Sequence, residues 1–421
     1  MFKNHDWIIT VFMLLLLVIG STTIYSTTHL TEPYLIIKHI GIVIACLFVY
    51  FAIYLVDYSW LKEPKILALI YIFIIILLLI AKFIGIETAG TNRWIQLGPL
   101  NLQPAEFVKI LVIVLTASII GKHVNRQHIL QYLKNVVISL GAILPLIVLV
   151  VLQPSLGNSI IAFAIWTWLI LLFYPKPKTL LILAFGFILS GVIAYFVMAT
   201  SQFYLILIIP ILILILKKIT TINLLAIGFA SLIGLAFIPT VDLGWENLLQ
   251  DYQKTRIESF LNPQSDVMGA GWQVRQSEIA IGSGRLLGKG FMQGTQASLG
   301  ILPYSHTDFI FAAYAEQFGF VGSIILMAIL FGLPVRLFRL TKDIKSDYDK
   351  CIIYGTGIFL FIHIVINIGM NLGKLPVTGI PLPFLSYGGS SLLSFSIAFG
   401  LVQNVLKYNK NINNYEKIIP V

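Results

Sequence analysis

The sequence predicts an all-α polytopic integral membrane protein, with about ten to twelve transmembrane helices and a large extracellular loop. Three observations predict this class. Of 421 residues, 58% are hydrophobic and only 11% charged, and the mean hydropathy is +0.92. A water-soluble core of this length needs no such excess, whereas each membrane-crossing helix needs about 20 mostly apolar residues. The apolar runs are continuous rather than alternating, which excludes a transmembrane barrel. Basic residues collect in short loops between the runs, the pattern that keeps those loops inside the cell. The net charge of +10 therefore follows topology and does not point to nucleic acid.

Spanning helices are expected near residues 7–26, 34–56, 65–86, 104–121, 135–152, 157–174, 179–198, 201–216, 221–239, 308–335, 351–372 and 384–407. The first follows MFKNHDW without a small-residue cleavage site and is expected to be retained as its own insertion signal. With both termini cytoplasmic, loops 122–134, 175–178, 217–220 and 336–350 and the tail 408–421 lie inside. They carry Lys122, Arg126 and Lys134, then Lys176 and Lys178, then Lys217 and Lys218, then RLFRLTKDIKSDYDK, then Lys410 and Lys417. Loop 57–64 is more balanced, with Lys62 against Asp57 and Glu63. Deleting one helix inverts every later loop and breaks the agreement. Deleting the pair 201–239 does not, so ten helices plus an inserted hairpin satisfy the charges equally. The outside then holds loop 87–103, the segment 240–307 and the turn 373–383. The chain reads as a single domain, 1–421, without repeats or low-complexity linkers. Cys46 and Cys351 lie in or beside apolar runs, with neither disulfide nor metal-ligand spacing.

The chemistry is expected where polar groups intrude on this pattern. In 302–322, LPYSHTDFIFAAYAEQFGFVG, a polar loop runs into an apolar helix with Asp308 at the junction, beside His306 and Thr307. A carboxylate there either caps the helix or serves a polar cavity. In 90–109, GTNRWIQLGPLNLQPAEFVK, a loop with turn formers leads to a helix begun by Pro104,. Glu106 and Lys109 share one face of it at i, i+3, either as an inert pair or facing a cavity. Arg93 and Trp94 stand just outside, and a lone interfacial Trp is commonly a membrane anchor. QPSLG at 153–157 breaks two apolar runs. IGSGRLLGKG at 281–290 does not fit a phosphate loop, because Gly290 follows Lys289 where a hydroxyl is required,. Either its backbone N–H groups, with Arg285 and Lys289, hold a phosphate, or its glycines serve tight packing of a loop on the membrane face. In 373–391, a Pro/Gly-rich turn carries Lys374, Ser386 and Tyr387. Arg93, Glu106, Lys109, Arg256, Arg275, Lys289, His306, Asp308 and Lys374 all map to the outer side. Several cations with one exposed acid suit an anionic lipid headgroup such as a pyrophosphate.

These pieces resemble the SEDS family (shape, elongation, division and sporulation proteins), and its elongation branch more than its division branch. The match runs through NRWIQLG, LQPAEFVKI, QPSLG, FLNP, QSEIAIGSGRLLGKGFMQGTQASLGILPYSHTDFIFAAYAEQFGFVG and NIGMNLGKLPVTGIPLPFLSYGGSSLLS, in family order. The resemblance implies a peptidoglycan glycosyltransferase of cell elongation and shape maintenance. Such enzymes polymerise lipid II on the outer face of the bacterial plasma membrane, beside a class B penicillin-binding protein that supplies the transpeptidase. The family's essential acid matches Asp308, its cavity pair Glu106 and Lys109, and its outer-loop Trp matches Trp94. The resemblance also implies assistance by a divalent cation, Mg or Mn, although no metal-ligand cluster is visible. Two departures stand out. Ser155 occupies a position where the family commonly has Asp, and 201–239 looks like an additional hairpin.

The expected mechanism is an inverting displacement. Asp308 acts as base on the acceptor hydroxyl, or as ligand to a metal doing equivalent work. Lys109 with one or more of Arg93, Arg256, Arg275, Lys289 and Lys374 neutralises the leaving pyrophosphate, and Glu106 orients Lys109. Trp94, His306, Thr307, Ser386 and Tyr387 complete the expected substrate site. The competing readings are a lipid II flippase and a scaffold for the penicillin-binding protein without chemistry. A flippase predicts binding groups near the midplane, often on broken helices, whereas the groups here cluster outside.

Overall fold

The computed structural model describes residues 5–88, 91–98, 100–121, 129–173, 251–261 and 269–418. The spans expected at 179–198, 201–216 and 221–239 lie outside the described residues. The chain forms two compact units, residues 1–169 with 256–421, and residues 170–255. Every residue of the site described below belongs to the first.

The helices in chain order are α1 (Trp7–Thr28), α2 (Leu35–Leu55), α3 (Pro64–Phe83), α4 (Pro104–Ile120), α5 (Ile129–Val151), α6 (Leu156–Leu172), α7 (Asp251–Leu261), α8 (Ala270–Ser283), α9 (Ile310–Leu340), α10 (Asp347–Asn371) and α11 (Gly389–Ile418). Local chemistry sets several starts. Asp6 caps α1 by accepting the Ile9 N–H at 3.2 Å,. Pro64 and Pro104 open α3 and α4, where a missing N–H costs nothing,. Among the described residues seven helices, α1, α2, α3, α5, α9, α10 and α11, are long and apolar enough to cross a membrane. The expected spans at 104–121 and 157–174 are helices of 17 residues, and at about 1.5 Å per residue they are short for the hydrocarbon core.

The centre is built from α10 and α11, buried over 72% and 83% of their apolar windows, while α2 is buried over only 17%. α11 packs on α2, and α10 packs on α4 and α9. Two buried acids are satisfied by partners from distant elements. Asp349 accepts from Tyr58 at 2.7 Å and Asn409 at 2.9 Å, and Asp6 meets Arg336 at 2.6 Å.

Four sequence expectations are refined. Loop 87–103 contains antiparallel strands, β1 (Ile86–Thr88), β2 (Thr91–Leu97) and β3 (Leu100–Leu102), in the order β1-β2-β3. β2 pairs with β3 in the register Ile95–Leu102, Gln96–Asn101 and Leu97–Leu100, and Gly98 takes a φ of +61° at the turn. The helix expected from 308 begins at Ile310, which leaves Asp308 in the preceding turn. It is also broken at Gly319, whose φ of 66° and ψ of −164° only glycine adopts readily,. Loop 285–290 supplies hydrogen bonds at that break. Phe320 and Val321 N–H donate to the Arg285 and Leu286 carbonyls at 2.9 and 3.1 Å, while Lys289 and Gly290 N–H donate to Glu316 and Gln317 at 3.0 Å each. Residues 384–388 are a turn rather than the start of the last helix, which continues to Ile418 through much of the expected tail.

Candidate active site

Asp308 sits in the turn that opens α9, next in the chain to Phe309, which belongs to a small apolar cluster with Ala280, Leu302, Ala312 and Val377. Its backbone carbonyl accepts two side-chain amides from α10, Asn367 at 2.9 Å and Asn371 at 3.0 Å. Turn 384–388 holds the preceding residues. Ser386 Oγ donates to the Thr307 carbonyl at 2.6 Å, and the Tyr387 N–H donates to the His306 carbonyl at 2.9 Å. The His306 and Tyr387 rings meet edge to face, with centroids 6.1 Å apart. Burial holds His306 below the usual imidazole value, opposed by Glu32.

The Asp308 side chain faces Gly379 and Arg256. A Cβ at Gly379 would lie 3.5 Å from Asp308 Oδ2 and 3.6 Å from Arg256 Nη1, and Gly379 itself has a φ of +71°. This position favours glycine for its conformation, while a Cβ there would meet the acid only at ordinary van der Waals distance,. Burial pushes the Asp308 carboxyl up to about 6, and the Arg256 guanidinium opposes part of the rise,. A carboxyl in that range is suited to general-base work near neutral pH.

The other expected site residues lie on several elements. Arg275 on α8 and Lys374 are exposed and are chain neighbours of Val274 and Gly373, which pack together. Arg93 and Trp94 lie on β2, and the sheet is tied to α11 through Ser390. Its Oγ accepts the Gln103 N–H at 2.8 Å and donates to the Asn101 carbonyl at 3.1 Å. Lys109 is buried in a cluster of its own. Its ammonium lies 2.8 Å from Glu106 Oε2, 3.1 Å from Asn158 Oδ1 and 3.0 Å from His363 Nε2. An ammonium has three donors and no acceptor, so these contacts use it fully and His363 Nε2 is the acceptor. Lys289 is placed with Glu316, at 2.6 Å, rather than with Asp308.

The sequence reading passed over Asn158, Glu316, His363, Asn367 and Asn371. Glu316 carried a signal, being a carboxylate inside an apolar run. It accepts the N–H groups of Thr295, Gln296 and Ala297 at 2.8 to 3.1 Å as well as Lys289, and so staples loop 289–297 to α9. His363, Asn367 and Asn371 recur every fourth residue, which puts three polar side chains on one face of α10. Among the described residues no group of three or more His, Cys, Asp or Glu could hold a metal ion.

Seven apolar helices among the described residues, one of them broken at Gly319 and preceded by a turn that carries Asp308, define a polytopic membrane protein. The chain belongs to the FtsW/RodA/SpoVE family, described as cell cycle proteins, whose model matches residues 5–207 and 199–411. It is 35% identical to the peptidoglycan glycosyltransferase MrdB of Escherichia coli K12 over 344 residues, 82% of this chain and 78% of that protein. It is 31% identical to the peptidoglycan glycosyltransferase RodA of Treponema pallidum, covering 96% of this chain and 98% of the relative. The fold matches a solved chain from a peptidoglycan synthase complex that coordinates polymerization and crosslinking. That match has a TM-score of 0.65 at 24% identity and covers 96% of this chain and 98% of the other. The resemblance read from the sequence motifs is thereby confirmed at the level of family and fold.

Proposed function

We propose that this protein is a peptidoglycan glycosyltransferase that polymerises lipid II on the outer face of the plasma membrane, with Asp308 as its base. The observation that carries the assignment is the Asp308 carboxyl itself. It is raised to about 6, sits beside Arg256 and Gly379, and is fixed through its own backbone.

In this reading the donor sugar is α-linked to pyrophosphate and the product linkage is β. Asp308 takes the proton of the acceptor 4-hydroxyl as that oxygen bonds to the anomeric carbon. The bond to pyrophosphate breaks, and its electron pair leaves with the phosphate. Pyrophosphate needs no protonation to depart, so one carboxylate suffices where glycosidases use two. Inversion puts attacking and leaving oxygens on opposite faces of the sugar. Arg256, beside the base, therefore keeps Asp308 ionised, and the exposed Arg275 and Lys374 neutralise the pyrophosphate. Lys109 braces the wall beneath through Glu106, Asn158 and His363. Hydrated magnesium is typically held by one or two carboxylates together with substrate phosphates, and Asp308 offers such a donor. A Mg or Mn ion held there would lower the pKa of the acceptor hydroxyl, work equivalent to that of a base.

The orientation follows the basic loops, with both termini cytoplasmic and the site outside. The transpeptidase partner is a class B penicillin-binding protein, in keeping with the synthase complex whose chain this fold matches. The test is polymerisation of labelled lipid II by the purified protein, with and without that partner. Glycan strands support the assignment. Absence of strands with the partner present, together with lipid II scrambling in liposomes, favours a flippase instead.

A further inference from the structure

The Asp308 turn is held by two asparagines whose geometry exceeds what helix packing requires. Asn367 and Asn371 are fully buried on α10. Asn371 Nδ2 donates to the Asp308 carbonyl at 3.0 Å, and its Oδ1 accepts the Ala312 N–H at 3.1 Å. One side chain thus fixes the residue before α9 and caps an otherwise orphan N–H in its first turn. Asn367 Nδ2 donates to the same Asp308 carbonyl at 2.9 Å and to the Ile380 carbonyl at 2.8 Å. Ile380 follows Gly379, the residue that faces Asp308 Oδ2. Asn367 therefore sets the separation between the acid's backbone and the wall its carboxylate faces. Asn371 Nδ2 also donates to the Asn367 carbonyl at 2.8 Å, which links the two residues.

We propose that Asn367 and Asn371 are positioning residues for Asp308, setting the direction of its carboxylate toward Gly379 and Arg256. The two amides fill both lone pairs of the Asp308 carbonyl, and the Ala312 N–H held by Asn371 gives a second fixed point that resists rotation of the turn. The proposal rests on the reading of Asp308 as the base. Without the asparagines the turn keeps only its own backbone bonds and the Ser386 and Tyr387 contacts to the residues before Asp308, so the base loses alignment and its distance from Arg256 changes. A misplacement of about 1 Å can cost roughly 100-fold in rate.

The experiment uses the full chain with its penicillin-binding partner and measures lipid II polymerisation across pH. The variants are Asn371→Asp, the double Asn367→Ala/Asn371→Ala, and Asp308→Ala. The double variant should lose about 100-fold in kcat with KM within about twofold, and its acid limb should move from that of the wild type. Asn371→Asp keeps the size and the acceptor for the Ala312 N–H, but it removes the amide donor to the Asp308 and Asn367 carbonyls and buries an acid against them. It should lower kcat by about tenfold, move the acid limb and lower the melting temperature by several degrees. Asn371→Asp with wild-type kcat and acid limb overturns the proposal, whether or not the double variant folds. An inactive Asp308→Ala beside that result leaves the base assignment standing. A polymerising Asp308→Ala removes the base assignment itself.

Discussion

Replacing Arg256 with Gln separates a cation that tunes the base from one that binds the leaving group. Asp308 Oδ2 and Arg256 Nη1 both lie against the Cβ position of Gly379, at 3.5 and 3.6 Å. At a separation of no more than about 7 Å, an effective dielectric near 20 gives an attraction of roughly 2 kcal/mol. Asp308 is half-buried, and solvent screening reduces the effect to about 1 kcal/mol, close to one pKa unit. The base works ionised, so activity rises with pH through its pKa. The wild-type acid limb should fall near 6, the value to which burial and Arg256 together bring the carboxyl. In Arg256→Gln it should move up to about 7. At pH 6 the ionised fraction falls from about one half to one tenth, a loss of about fivefold, while at pH 8 the two proteins should be nearly equal. The assay is the initial rate of labelled lipid II polymerisation from pH 5 to 9. A loss that is uniform across pH, with the acid limb unmoved, would refute the reasoning and return Arg256 to the pyrophosphate.

Three further outcomes follow from the same contacts. Lys109→Met should destabilise the fold by about 3 to 5 kcal/mol, because Glu106 would remain buried and unpaired. Glu106→Gln/Lys109→Met should recover much of that loss in thermal unfolding without recovering polymerisation. Glu316→Gln weakens the staple on Lys289 and residues 295–297, and limited proteolysis should then cut within 289–297 faster than in the wild type. Asp308→Asn should raise the melting temperature at pH 7.5 by a few degrees but not at pH 4. The sign follows from a folded-state value raised from 3.8 to about 6, which makes the ionised acid cost stability as pH rises through that window.

The spans were legible because hydrocarbon leaves the chain no alternative: nine expected runs fall within the described residues, and each is a helix. Asp308 was legible as a carboxylate where a loop meets a membrane helix. The break at Gly319 was not, because its cause is loop 285–290 arriving from elsewhere in the chain to hydrogen-bond around it. The partners of Lys109 were hidden for the same reason. Asn158 and His363 lie 49 and 254 residues away, and nothing in local spacing brings them together. Lys289 looked free for substrate until Glu316 was seen beside it. The α10 asparagines were readable as a four-residue period, but the carbonyl they hold was not. Strand formation at 86–102 was masked by Gly and Pro, which mark turns without saying what they connect.

The most direct measurement compares the wild type with Asp308→Asn, each purified with the proposed penicillin-binding partner, for glycan strand formation and for lipid II binding at pH 7.5. The substitution keeps the shape of the side chain and removes its basicity. Strands from the wild type alone, with equal binding by both, are the predicted result. Strands from Asp308→Asn at a comparable rate would contradict the assignment of Asp308 as the base.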